Sequence, residues 1–238
     1  MKDVSERSQI AVVWWGIAFT VIYGFSLGFL LHMVPPPTAT LDTAGIAAFY
    51  AEHHDSIRIG AVVASWSSAF MLPFAAVLTI QMLRHGASKL WAILTVMGGS
   101  MMSIFLVLPP LFWGVAAFTE GRDENATALM HELGTLTLVT TDQFYIFMWV
   151  ALIVVSFKAT SVSHSPFPRW YGYFTIWTAT MFEAGAFAFL PRTGPFAWNG
   201  ALVFWNPLAL FGLWIAVTSF VLLRSLRAQR EAREAAGG

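Results

Sequence analysis

No cysteine occurs anywhere in this chain of 238 residues. Disulfide frameworks, thiolate metal sites, iron–sulfur clusters and cysteine nucleophiles are thereby excluded, and cysteine usage says nothing of the redox compartment. Charge is the second scarcity. Charged residues make up 11% of the chain, against about 25% in an ordinary soluble domain. Thirteen basic residues face thirteen acidic ones, so no net field gathers nucleic acid or acidic partners, and nucleic acid is not an expected partner. Also missing are a P-loop, a Rossmann glycine pattern, a Ser-His-Asp order and the His boxes of membrane desaturases. No repeat of solenoid period is visible.

What the chain has instead is apolar surface: 57% hydrophobic residues, 16% of the chain aromatic. A helix crosses the hydrocarbon core with roughly 20 mostly apolar residues, because its backbone polar groups must be satisfied within the segment. Six stretches meet that length: 10–33, 59–83, 90–118, 133–157, 170–190 and 197–223. Short connections between them predict an all-α, single-domain bundle of antiparallel transmembrane helices. The first stretch is too long for a signal-peptide core, its leader mixes acids with bases, and no small-residue cleavage site follows.

Lys and Arg counts set the expected orientation. Lys2, Arg7, Arg84, Lys89, Lys158, Arg169, Arg224, Arg227, Arg230 and Arg233 flank one side, whereas Arg58, Arg122 and Arg192 lie among acids on the other. Both termini are therefore expected in the cytoplasm. After Pro35 to Pro37, which force an extended exit, the segment Leu41 to His54 reads as a short interfacial helix capped by Asp42. Residues 224–238 read as a basic cytoplasmic tail that favours anionic headgroups.

An ionisable group in lipid is expensive unless paired, neutralised or hydrated. Asp142 and Glu183 stand out, at depths of about 13 Å and 10 Å from the same membrane face at about 1.5 Å per helical residue. They are the candidate proton donor and acceptor. Asn206, followed by Pro207, and the pair Pro109 and Pro110 fall near that level, where proline frees carbonyls one turn earlier. If the two acids share a pocket, they cannot both ionise readily in a poor solvent, and a shared proton is suited to donation.

Helical spacing extends the candidate site. His131, Thr135, Asp142, Tyr145 and Trp149 fall on one expected face of the fourth stretch, and Tyr173, Trp177, Thr180 and Glu183 on one face of the fifth. Aromatic walls with a hydroxyl and one acid suit a largely apolar molecule with one polar handle. The same stripes also serve ordinary helix packing, with the acids as hydrogen-bonding clasps.

The remaining signals are weaker. Histidines lie near the ends of the spans or in loops, so haem is not expected. The run Glu52, His53, His54, Asp55 cannot converge on a metal, because adjacent helical residues point about 100° apart. Neither metal nor cofactor is expected. Gly24 and Gly28 form a small-xxx-small pair suited to internal helix packing or a partner surface. Trp14, Trp15, Trp91, Trp170 and Trp198 read as an interfacial belt, and Trp66, Trp113, Trp149, Trp177, Trp205 and Trp214 as deeper residues.

The stretch from Phe167 to Trp214, with FPRWYGYFTIW and PRTGPFAWNGALVFWNPLALFGLW, resembles the C-terminal half of small six-span hypothetical membrane proteins of actinobacteria and proteobacteria. PPPTATLDTAGIAAFYAEHHDSIRIG is similar to their outer loop. The resemblance implies a fold and a place in a bacterial inner membrane, and no site residues, since that group carries no assigned activity.

Four functions remain open on these grounds. The first is binding or processing of a terpenoid, steroid or hydrocarbon-like molecule in an outer-half cavity around Asp142, Glu183 and Asn206. The others are an acid–base isomerase or cyclase, a non-catalytic subunit, and a proton-coupled carrier. Expected partners are the bilayer, a hydrophobic small molecule, and membrane proteins or a second copy of the chain.

Overall fold

The computed structural model describes residues 5–237; Lys2 of the basic count and Gly238 of the tail lie outside the described residues. The chain is all α. Ser5 caps α1 (Glu6–Phe25) by accepting from the Ser8 amide, and a π-helical turn, Ser26–Leu30, prolongs it. There follow α2 (Thr43–Ser68), α3 (Met71–His85), α4 (Lys89–Phe118), α5 (Glu124–Thr140), α6 (Ile146–Phe157), α7 (Arg169–Phe182) and α8 (Asn206–Gly237). Among the described residues, four helical stretches are long and apolar enough to cross a membrane: Glu6–Leu30, Thr43–His85, Lys89–Phe118 and Ala201–Ala236.

The stretches expected at 133–157 and 170–190 are helical but interrupted. Thr140 and Thr141 turn their hydroxyls back onto the carbonyls of Leu136 and Thr137, both at 2.7 Å. Side chains that compete in this way for the ladder, followed by the poor helix former Asp142, end α5. A 3-10 turn, Asp142–Phe144, links it to α6. Likewise α7 gives way at Glu183 to a 3-10 segment, Glu183–Phe189.

The separate interfacial helix expected at 41–54 does not exist as such. Asp42 does cap a helix, accepting from the Gly45 amide at 2.8 Å, but that helix is α2 itself, which runs on unbroken to Ser68. Ile46, Tyr50 and Ile57 are all buried; at steps of four and seven they keep one face against the bundle, and no proline intervenes to stop the helix. The break comes later, at Ala69 and Phe70, because Pro73 cannot donate to Ala69 and its ring crowds that carbonyl. Leu72 bonds back to Ala69 instead, and the buried hydroxyl of Ser103 on α4 donates to the Ser68 carbonyl at 2.8 Å.

Pro109 and Pro110 sit inside an uninterrupted α4. Pro110 has no N–H for the Leu106 carbonyl, and the Tyr23 hydroxyl of α1 fills the vacancy at 3.0 Å. Tyr23→Phe is therefore expected to lower detergent-solubilised stability by about 1 kcal/mol. Pro110→Ala, which returns an amide to Leu106, should recover most of that loss in thermal unfolding; no recovery would show that the hydroxyl acts elsewhere.

One end of the bundle holds both chain ends and is tied by polar groups. Gln81 donates to Gln9 at 2.8 Å, and Gln229 donates to Gln81 at 3.0 Å. Arg233 pairs with the buried Glu6 at 2.8 Å. The basic tail expected at 224–238 to favour anionic headgroups continues α8 and docks on the bundle as far as Arg233, because Ser225, Leu226 and Gln229 repeat the buried stripe of α8. The opposite end gathers Pro37, Tyr50, His131 and Trp198.

Between these ends the core is aromatic. Trp149 meets Trp214, Phe182 and Tyr145 edge-on at 5.7, 4.8 and 5.7 Å between ring centres. Trp113, Trp149 and Trp214 are fully buried, whereas Trp66, Trp177 and Trp205, expected at depth with them, are exposed on the bundle flank. Trp198, expected in the belt, is buried because its indole donates to the Pro37 carbonyl at 2.8 Å. The pair Gly24 and Gly28 makes no close helix contact, as a Cβ at either would meet nothing within 4 Å. That role falls to Gly98 and Gly99 of α4, where added Cβ atoms would lie 2.7 Å from Met148 and 2.2 Å from Ala75.

Candidate ligand site

The interruption between α5 and α6 positions the principal side chain. An α-helix continued through Thr141 would project Asp142 in phase with Thr135; the 3-10 turn resets that phase and delivers Asp142 to an internal cavity of about 240 Å³. Asp142 is 3% exposed. Tyr145, one turn on, shares the cavity wall.

The wall is otherwise apolar. Phe19 of α1, Leu27 of its π-helical extension, Leu106 of α4, Val139 of α5 and Phe182 of α7 close it on several sides, and Pro207 and Phe211 of α8 complete it. Two further polar side chains on it are engaged elsewhere: Thr20 bonds to the Gly16 carbonyl at 3.1 Å, and Tyr23 to Leu106. No side chain among the described residues hydrogen-bonds either oxygen of Asp142, and its only donors close at hand are the backbone amides of Asp142 and Gln143, which act on it without reaching full hydrogen-bond geometry. A buried acceptor in that condition stores the desolvation penalty that a donor from a bound molecule would relieve.

Glu183 is close by. The 3-10 segment that carries it packs on the turn that carries Asp142, and its carboxylate acts electrostatically on that of Asp142 and on the Tyr145 hydroxyl. One Glu183 oxygen is buried and unpartnered. Glu183 nevertheless stands behind the cavity wall and not on it. The two acids are neighbours without a direct hydrogen bond, so they form no clasp.

The other residues expected at the site divide into three groups. Trp149 stands behind Tyr145, in the aromatic core. His131 and Thr135 belong to a separate buried cluster: His131 Nδ1 lies 3.1 Å from the Tyr50 hydroxyl, its Nε2 3.5 Å from Thr135 Oγ1, and its ring is edge-on to Trp198. His131 therefore ties α2, α5 and the loop before α8 together and does not contact the cavity. Asn206 heads α8 outside the wall, while the adjacent Pro207 is in it.

Tyr173, Trp177 and Thr180 face outward. All three are exposed, and the Thr180 hydroxyl returns to the Ile176 carbonyl at 2.9 Å. The buried stripe of α7 is Tyr171, Thr175, Thr178 and Phe182, offset from the expected one by about half a turn. Both stripes mix aromatic and Thr residues at the same spacing, and in a membrane aromatic rings suit either face. Hydropathy alone could not choose between them.

Several wall residues carried no chemical signal in the sequence. Tyr23 is the exception, since a carbonyl orphaned by Pro110 needs a donor from somewhere. At the far end of α2 the candidate metal run disperses: His53 bonds to the Phe49 carbonyl at 3.0 Å and its ring lies 4.1 Å from that of His32, while His54 pairs with Glu120 at 2.9 Å. No group of three or more ligating side chains converges among the described residues.

Comparisons of the chain with protein-family models, with characterised proteins and with solved structures give no match.

Proposed function

We propose that this chain is a six-pass protein of a bacterial inner membrane, with both termini in the cytoplasm, that binds a small hydrophobic molecule through one polar handle. The topology reading rests on the clustering of basic residues at the end that holds both termini. It also rests on the alternation of the helices, with α5 and α6 counted as one pass and α7 with its 3-10 extension as another. In this orientation the cavity lies in the outer half of the bilayer. The observation that carries the ligand reading is the unpartnered carboxylate of Asp142 on an apolar cavity wall. Pockets built of apolar walls with few, well-placed polar groups are what small hydrophobic ligands require.

The cavity volume narrows the ligand. A cavity of about 240 Å³ suits a small terpenoid or a short hydrocarbon. Native mass spectrometry of protein extracted from its own host in mild detergent tests the reading. The wild type should carry a small apolar adduct, Asp142→Asn should retain part of it, and Asp142→Leu should lose it with the fold intact by size exclusion and thermal unfolding. Wild-type protein free of any adduct, or equal occupancy in Asp142→Leu, would sink it.

Glu183 favours a second reading in which Asp142 performs acid–base chemistry on the ligand and Glu183, behind the wall, exchanges the proton with Asp142. Asp142→Asn and Glu183→Gln should then each abolish turnover of an olefinic substrate, with binding kept in part by Asp142→Asn and in full by Glu183→Gln.

A further inference from the structure

The wall of the Asp142 cavity is incomplete between α1 and α8. Gly24 of α1 and Gly212 of α8 both line it, and a Cβ built on either would meet nothing within 4 Å. Every other close approach of helices through glycine in this bundle is tight, as at Gly98 and Gly99. Gly24 is exposed on the bundle flank, beside the exposed side chains of Val21 and Phe25. These two positions therefore lack side chains at a place where packing does not require their absence. The result is a gap from the flank of the bundle to a buried acceptor.

We propose that this gap is a doorway through which a single-chain amphiphile dissolved in the bilayer reaches Asp142, with its hydroxyl or amine head inside and its tail leaving between α1 and α8. The proposal rests on the ligand-binding reading above and adds to it a route and a ligand shape. A chain longer than the cavity needs an opening. The opening is at Gly24 and Gly212. Asp142, having no side-chain donor and only the amides of its own turn beside it, selects a head that donates over one that only accepts.

A diazirine-bearing dodecanol in proteoliposomes tests it, with adducts mapped by mass spectrometry after timed illumination. In the wild type, adducts should appear on Leu138, Val139 and Phe182 of the wall; excess dodecanol should compete, and the methyl ether of dodecanol should not. Gly24→Leu with Gly212→Leu should slow labelling of the wall at least tenfold while the final level is kept and labelling of the lipid-facing Phe29 is unchanged. An unchanged rate in that variant, or a lowered final level at an unchanged rate, would overturn the doorway and leave ligand binding standing. Wild-type protein with no wall adducts would remove both. Equal competition by alcohol and ether would overturn the assignment of the head. Should the double variant fail to insert, Gly24→Leu alone provides the same comparison, since its side chain meets open space.

Discussion

Gly185→Ala should lower the stability of the solubilised protein by about 3 kcal/mol, at or above the upper end of what overpacking ordinarily costs. Gly185 lies on the 3-10 segment after α7, where an added Cβ would fall 2.0 Å from the Val139 carbonyl oxygen and 3.5 Å from Asp142 Oδ1. The first neighbour is backbone in the last turn of α5, so no rotamer change can make room. Either the segment bearing Glu183 moves away or the end of α5 shifts, and both displace the Asp142 turn. Thermal unfolding in detergent measures the loss. Gly28→Ala, at a site where nothing lies within 4 Å, is the matched control and should be near neutral. Equal behaviour of the two variants would show that the close approach at Gly185 is not what holds Asp142 in place.

Trp149→Ala has the second largest expected effect. Its indole is fully buried and touches Tyr145, Phe182 and Trp214 edge-on. In a soluble core the truncation would cost roughly 3–5 kcal/mol, part of it transfer from water. Inside a bilayer the unfolded reference is lipid, so the transfer part largely drops out. The loss of packing and the void remain, about 2–3 kcal/mol. Tyr145 and Phe182, which line the ligand cavity, lose their backing at the same time. The variant should thus unfold at lower temperature and accept bulkier adducts than the wild type, read by native mass spectrometry. A drop in stability with unchanged ligand size would confine Trp149 to packing.

Asp142 illustrates how far the sequence alone could lead. Its rarity in an apolar stretch marked it as a residue needing an explanation, and the explanation lies in a turn that hydropathy does not reveal. The pair Thr140 and Thr141 carried the signal for that turn, because hydroxyls that compete for backbone carbonyls weaken a helix that apolar content alone would prolong. Pro73 likewise marked the break between α2 and α3. Pro110 implied a donor for Leu106 without saying which helix would provide it.

Other expectations failed for a common reason. Tyr173, Trp177 and Thr180 share a helical face, but lipid and protein interior are equally apolar, so no hydrophobic contrast told which face points inward. His131 was read as an end-of-helix residue on the same face as Asp142. It is buried against Tyr50 because α2 extends beyond its apolar part and covers it. Gly24 and Gly28 fit a helix-packing spacing, yet whether a small residue admits a neighbouring helix or leaves an opening depends on where that neighbour lies.

By itself the sequence determined composition-level facts: an all-helical chain with membrane-length apolar stretches, its basic residues gathered between alternate stretches, and two acids with no local partner. These follow from backbone satisfaction and charge solvation, which act on each segment separately. Only the tertiary structure decided that Asp142 faces an apolar cavity, that Glu183 stands behind its wall, that Trp149 backs Tyr145, and that Gly24 and Gly212 leave a gap. Those outcomes depend on the rotation of each helix about its axis. In a medium as apolar as the protein interior, that rotation is set by steric fit between neighbours and not by the pattern along any one of them.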